Sequence, residues 1–310
     1  MEGRYGRPKR GQLGFWLGLS LVVFVGTLAL SMMQYQGARG FSDVLAQPAE
    51  SIGPRISQPA PEGASFVSWF GDGHDNTHWY RSDFDNEDHF MQVGWAANHL
   101  DFRDEAVHLW LTDRPSETNP YTSAEYQKRG RYGFGRYEVI MKAAEGEGLV
   151  SSFFTHIGPY FGAPHDEIDI EFLGKDTTKV YLTWFKNGEK GPERWHQLPF
   201  DAAKDYHLYA FEWTPETIRW FADGALIYER PDNALAVPAT PGRIIMNLWT
   251  GLEAQYGWHG DPNFGVADKA SYLCVSYQAQ RGGSTAQCSD GWQSRTPSAT
   301  PPYGADFALP

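Results

Sequence analysis

From Glu167 to Phe172 the sequence alternates with a period of two: Glu167, Asp169 and Glu171 interleave with Ile168, Ile170 and Phe172. In a β-strand successive side chains point to opposite faces. The apolar three therefore enter a core and the carboxylates share the other face. Three like charges on one strand face repel each other, which limits what the segment can be. An ordinary solvated face is one reading, although such faces usually mix Lys, Thr and Ser among their acids. A calcium loop is another, but it spaces its ligands around a fixed Gly, and none lies here. Glycoside hydrolysis gives the crowding a purpose. It needs one carboxylate as nucleophile and a second carboxyl group kept protonated for the leaving sugar, and a neighbouring charge raises one pKa. Glu167 and Glu171 are the candidate pair. On a flat strand they stand about 13 Å apart at ~3.3 Å per residue, so the sheet must curve and the side chains lean together over a concave face.

The surrounding sequence supports an all-β fold. Short apolar or alternating runs recur at Arg136–Lys142, Leu149–His156, Lys179–Phe185 and Leu208–Trp213. Two strand-like halves between Thr217 and Glu229 meet at Asp223 and Gly224, residues that tolerate the positive φ of a tight hairpin turn. Many short strands with turn residues between them indicate a sandwich or jelly roll.

The ends of the chain have other compositions. Arg4, Arg7, Lys9 and Arg10 precede an uncharged apolar run from Leu13 to Met33. That length matches the ~20 residues a membrane-spanning helix needs, and the flanking charge keeps residues 1–12 cytoplasmic. Residues 13–33 are read as a membrane anchor; cleavage near Ala38 and Gly40 would make them a signal peptide instead. Residues 34–63, rich in Pro, Ala and Gln, read as a linker, 64–281 as the folded domain, and 282–310 as a disordered Gly/Ser/Pro-rich tail. In an exported, oxidising location Cys274 and Cys288 either pair to close a short loop or remain two free thiols.

A formal net charge of −12 excludes partners that need a basic surface, such as nucleic acid. Aromatic residues at 15%, with 12 Trp, suit stacking on sugar rings as well as ordinary strands.

The runs Val150–Thr155, Asp166–Val180 and Pro241–Trp249 resemble the bacterial lichenases of glycoside hydrolase family 16, as do Ala124–Tyr126 and Tyr132–Glu138. The resemblance extends from Trp79 to Tyr277. It implies a concanavalin A-like jelly roll of two curved antiparallel sheets, with a substrate cleft across the concave one. It also implies retaining endo-hydrolysis of β-1,3-1,4-glucan or, as in related depolymerases, of bacterial exopolysaccharide. By position, Glu167 resembles the nucleophile, Glu171 the general acid/base and Asp169 the carboxylate that supports the nucleophile. Glu125, Trp249, Trp258 and Asn86 match substrate-binding positions. No cofactor or metal is implied for catalysis.

The departures bear on specificity. His165 stands where lichenases carry a Trp, Thr183 and Phe185 where Asn and Tyr face the cleft, and Gln127 where an Arg is usual. Val93 and Ser123 occupy the positions of the usual disulfide. Leu273 replaces an acidic calcium ligand. The expectation is an exported endo-β-glucanase, membrane-anchored or secreted, acting as a monomer on a polysaccharide. A transglycosylase of the same fold and an anchored polysaccharide-binding protein without turnover are the alternatives.

Overall fold

The computed structural model describes residues 63–86, 90–281 and 285–295. The expected anchor at 13–33 and nearly all of the expected linker lie outside the described residues. Among the described residues no helix is long and apolar enough to cross a membrane.

In chain order the strands are β1 (Phe66–Trp69), β2 (Trp79–Arg81), β3 (Val93–Trp95), β4 (Leu100–Arg103), β5 (Ala106–Thr112), β6 (Tyr121–Ser123), β7 (Glu125–Lys128), β8 (Gly135–Lys142) and β9 (Val150–Ile157). They continue as β10 (Asp166–Leu173), β11 (Lys179–Lys186), β12 (Glu189–Lys190), β13 (Arg194–Gln197), β14 (His207–Trp213), β15 (Ile218–Ala222), β16 (Ala225–Glu229), β17 (Arg243–Trp249) and β18 (Ala267–Ala279). Among the described residues the two short α-helices are α1 (Tyr256–His259) and α2 (Cys288–Arg295).

The strands form two sheets. The first runs β16-β15-β14-β8-β18-β5-β6-β3, with β1 paired to β18 and β4 to β5. The second runs β12-β11-β10-β9-β17-β7-β2, with β13 paired to β11. Pairing is antiparallel except between β3 and β6, which run parallel from Val93↔Tyr121 to Trp95↔Ser123. The sequence gives no sign of that exception, because both strands are only three residues long.

The core lies between the sheets. Ile168, Ile170 and Phe172 of β10 are buried as their alternation requires, facing Tyr137, Val139 and Met141 of β8 and Tyr209 and Phe211 of β14. Phe172 meets Tyr209 at 4.8 Å between ring centroids, and Phe153 meets Phe211 at 6.0 Å, so aromatic contacts join the layers. Burying each such side chain stabilises the fold by about 1.5–3 kcal/mol. The hairpin forms at Asp223 (φ 46°) and Gly224 (φ 83°), both in the left-handed region that a tight turn demands.

The reading of 282–310 as a disordered tail is corrected for residues 288–295. They form α2, which lies on the outer face of the first sheet, where Cys288 is bonded to Cys274 with 5.8 Å between Cα atoms. The pairing alternative is the one the structure takes. A second apolar cluster, of Ala106, Ile140, Leu208, Leu273, Cys274 and Cys288, forms beneath the helix. Gly291 is required there because a Cβ would come within 2.3 Å of the Trp69 ring.

Candidate active site

The registers of the second sheet arrange its outward side chains in three rows. Phe185, Glu167, His156 and Arg243 lie opposite one another in the first. Thr183, Asp169, Phe154, Ile245, Gln127 and Tyr80 make the second. Trp195, Tyr181, Glu171, Ser152, Asn247 and Glu125 make the third. Pairing runs without interruption from Glu167 to Glu171 on both sides of β10, so the carboxylates stand on one unbroken face. Although this face points away from the core, Asp169 is only 4% and Thr183 2% exposed. Walls must therefore rise on either side of the middle row.

One wall is aromatic. Trp249 lies 5.3 Å from Phe90 and 5.9 Å from Trp258, and Tyr181 lies 5.3 Å from Trp258 and 4.9 Å from Trp195, between ring centroids. A depression of about 540 Å³, lined by Leu173, Lys175, Asp176, Lys179, Trp195, Gly257 and Trp258, adjoins it. The carboxylates do not line that depression. It meets the site through Trp195 and Trp258. At the other end His165 stacks on Phe185 at 4.8 Å and meets His156 edge-on at 5.2 Å, while the Arg243 guanidinium sits 4.5 Å above the Phe161 ring.

Electrostatics separates the two glutamates. Burial alone would push Glu167 up. A hydrogen bond to His165 Nε2, the nearby His156 and His165 charges and a hydrogen bond with Asp169 outweigh burial and hold the Glu167 carboxyl below its ordinary range. Glu171 is pushed up to about 8, first by burial and then by the Glu167 charge. Burial and both glutamates push Asp169 well above its ordinary range. Of the two glutamates, Glu167 is thus ionised and Glu171 protonated at neutral pH, the division of labour that glycoside hydrolysis requires.

The supporting contacts are specific. Trp249 Nε1 donates to Ser152 Oγ at 3.2 Å, and Ser152 Oγ donates to Glu171 Oε1 at 3.3 Å. Trp220 Nε1, from the other sheet, donates to the Asp169 carbonyl at 3.1 Å. Asp166, the first acid of the motif, accepts the backbone N–H groups of Asn187, Ala239 and Thr240 and so fixes the entry to β10 rather than joining the site. Glu125 is buried and accepts from Ser82 Oγ at 2.8 Å and Gln127 Nε2 at 2.6 Å; burial raises its pKa. Arg243 donates to Gln127 Oε1 at 2.7 Å. Asp169 Oδ2, Thr183 Oγ1, Asn247 Oδ1 and Trp258 Nε1 are buried atoms without a hydrogen-bond partner among the described residues. Orphaned polar atoms at a recessed surface are groups that a polyhydroxylated ligand can satisfy.

Among the residues expected from sequence, Glu167, Asp169, Glu171, Glu125, Thr183 and Phe185 fall in the three rows, and His165, Trp249 and Trp258 wall them. His165 bonds the candidate nucleophile as well as stacking. Asn86 lies on a loop, where its carbonyl accepts from Asn119 Nδ2 at 2.8 Å. His156, Ser152, Asn247 and Arg243 were not singled out as site residues. Their signal is the same period of two along β9 and β17, which becomes readable once the register with β10 is known. The calcium position does not fit its ion: Leu273 offers no oxygen from its side chain and packs in the apolar cluster under α2.

Residues 86–263 match the glycosyl hydrolases family 16. A β-glucanase of Acetivibrio thermocellus is 43% identical over 212 residues, which cover 68% of this chain and 62% of that protein. The chain thus spans less than two thirds of that relative's length. A β-glucanase of Paenibacillus macerans is 44% identical over 200 residues, covering 64% of this chain and 82% of that protein. Among solved structures, the Bacillus licheniformis β-glucanase superposes with a TM-score of 0.65 at 40% identity, covering 70% of this chain and 99% of that one. A lichenase from a mouse hindgut metagenome gives 0.66 at 40% identity, covering 69% and 99%. The match includes every strand that carries the catalytic-type carboxylates and their neighbours, and on it the chain belongs to glycosyl hydrolase family 16.

Proposed function

We propose that this chain is a retaining endo-β-glucanase that cuts internal bonds of β-1,3-1,4-glucan. The observation that carries the reading is the opposite displacement of Glu167 and Glu171 on one recessed strand face. Glu167, ionised and oriented by His165, attacks the anomeric carbon while Glu171 protonates the departing glycosidic oxygen. Water, deprotonated by Glu171, then releases the glycosyl-enzyme with net retention. The route calls for carboxyl groups about 5–5.5 Å apart, which excludes a water between nucleophile and sugar. Asp169, held protonated, donates a hydrogen bond to Glu167 and keeps a third charge out of the site.

The aromatic wall from Trp249 through Trp258 to Tyr181 supports a sugar chain as ligand, because its rings offer apolar faces for pyranoses. The altered lining, with His165 bonded to Glu167 and Thr183 unpartnered, supports a second substrate, a bacterial exopolysaccharide with β-linked glucose. Export and retention at the membrane through Leu13–Met33 remain part of the proposal, supported by the preceding Arg and Lys residues. One chain supplies the whole site, so a monomer suffices.

Release of reducing ends from barley β-glucan, laminarin, carboxymethylcellulose and succinoglycan tests the activity and its range. Rapid cleavage of barley β-glucan with early loss of viscosity is expected, and the first product should be the β-anomer by proton NMR. Binding without turnover on all four substrates would overturn the reading in favour of a binding protein.

A further inference from the structure

The first row of the site has a chemistry that hydrolysis does not require. His156 lies directly opposite Glu167 in the β9–β10 register, and His165 hydrogen-bonds the same carboxylate. One ligand atom from each of the three lies within 4.8 Å of the others. Stacking on Phe185 restricts the plane of the His165 ring, and the other two residues sit on adjacent paired strands, so little conformational freedom remains to be lost on capture of an ion. Two imidazoles and one carboxylate make a donor set that suits Zn²⁺ or Cu²⁺ and does not suit Ca²⁺ or Mg²⁺, which take several oxygens. All three residues are partly exposed, which leaves a fourth position open towards the cleft.

We propose that His156, His165 and Glu167 form a binding site for a divalent transition-metal ion, with Zn²⁺ as the type case, and that the ion inhibits the enzyme. Bound Zn²⁺ engages a Glu167 carboxylate oxygen, so that this lone pair is withheld from the anomeric carbon. The ion also occupies space that the reacting sugar needs. Metal and substrate therefore exclude one another. His165 is central to the site, and it is a residue at which this chain departs from the lichenase pattern.

Isothermal titration of the full chain, without an affinity tag, with ZnCl₂ gives the direct test and needs no turnover, so it stands apart from the glucanase reading. Binding of one ion is expected, weakened at least about tenfold in His156→Gln; CaCl₂ should give no signal at the same site. His165→Gln, altered before β10 begins, provides a second ligand deletion should the strand variant fold poorly. On barley β-glucan, Zn²⁺ should raise KM without changing kcat, EDTA should restore the original KM, and each variant should resist inhibition relative to its own metal-free rate. Equal zinc affinity in the wild type and both variants, or a fall in kcat at constant KM, would place the ion elsewhere and overturn the proposal.

Discussion

Glu138 and Asp169 are both acids buried on the outward face of a β-strand, one in each sheet, and their surroundings are opposite. Glu138, under α2, accepts from Arg136 Nε at 2.8 Å, from the Ser289 backbone N–H at 2.9 Å and from Ser276 Oγ at 3.4 Å. Asp169 keeps one oxygen without a hydrogen-bond partner among the described residues and lies between two further acids. One site is satisfied and covered by a disulfide-tethered helix. The other is crowded with like charge and left open to a ligand. The structural acid has an arginine and two further donors of its own, whereas Asp169 is set between two other acids, which raises its pKa and keeps it poised for proton chemistry.

The largest expected effect lies on the crowded side. Glu167→Ala should lower kcat on barley β-glucan by at least about 10⁴-fold. Its urea midpoint should change little, because the lost His165 hydrogen bond is offset by relief of the Asp169 and Glu171 carboxyls that the Glu167 charge pushes up. A loss of stability comparable to a core deletion would break the contrast between the faces.

Next comes the pair that defines the contrast. Glu138→Ala should cost about 2–4 kcal/mol in urea unfolding, because the buried Ser289 N–H and Ser276 hydroxyl lose this acceptor while Arg136 keeps only Glu212 among the described acids. Asp169→Asn should cost little by the same measure while slowing turnover. Similar costs for both would show that the two acids do the same structural job.

A smaller effect belongs to the helix clamp. Cys288→Ser should cost about 3 kcal/mol or less, the value expected for a loop of this size, with kcat per folded molecule unchanged. A fall in kcat would mean that α2 supports the cleft as well as the outer face.

The contrast with the ordinary reading of a sequence is clearest at these same places. The strand at Asp166–Leu173 and the hairpin at Asp223–Gly224 were legible because each follows from local physics: alternation and positive φ. The helix α2 was not, because residues 288–295 are mostly small and polar. Its order comes from partners far along the chain, with the Cys288 N–H held by Ser276 Oγ and the Ser289 N–H by Glu138. The candidate catalytic pair was legible through its crowding. His156 was not, since nothing in its own strand reports that it stands opposite Glu167.

The pH dependence is weaker than these substitutions but distinguishes the two glutamates. Activity should fall on the alkaline side as Glu171 loses its proton near pH 8, and on the acid side as Glu167 gains one. For stability the sign is set by a folded pKa raised from 4.5 to about 8. The native state binds more protons than the unfolded chain across that interval, so the Glu171 contribution is complete below the lower value and is lost as pH rises through the upper one. Glu171→Gln should flatten that decline in a melting-temperature series. An unchanged slope would show that other groups carry it.

The smallest expected effect is that of chelation. With Leu273 in an apolar cluster, EDTA should leave the melting temperature nearly unchanged relative to added Ca²⁺. A drop of many degrees would show that oxygens elsewhere hold a structural ion.

The role assignment itself is tested most directly by azide rescue on an activated aryl β-glucoside. In Glu167→Ala, azide should enter the space left by the nucleophile and give the α-glycosyl azide. In Glu171→Ala the intermediate still forms on Glu167, and azide should give the β-glycosyl azide. Proton NMR of the two products reads the anomers. The account predicts opposite anomers in that order; a β-azide from Glu167→Ala with an α-azide from Glu171→Ala would contradict it.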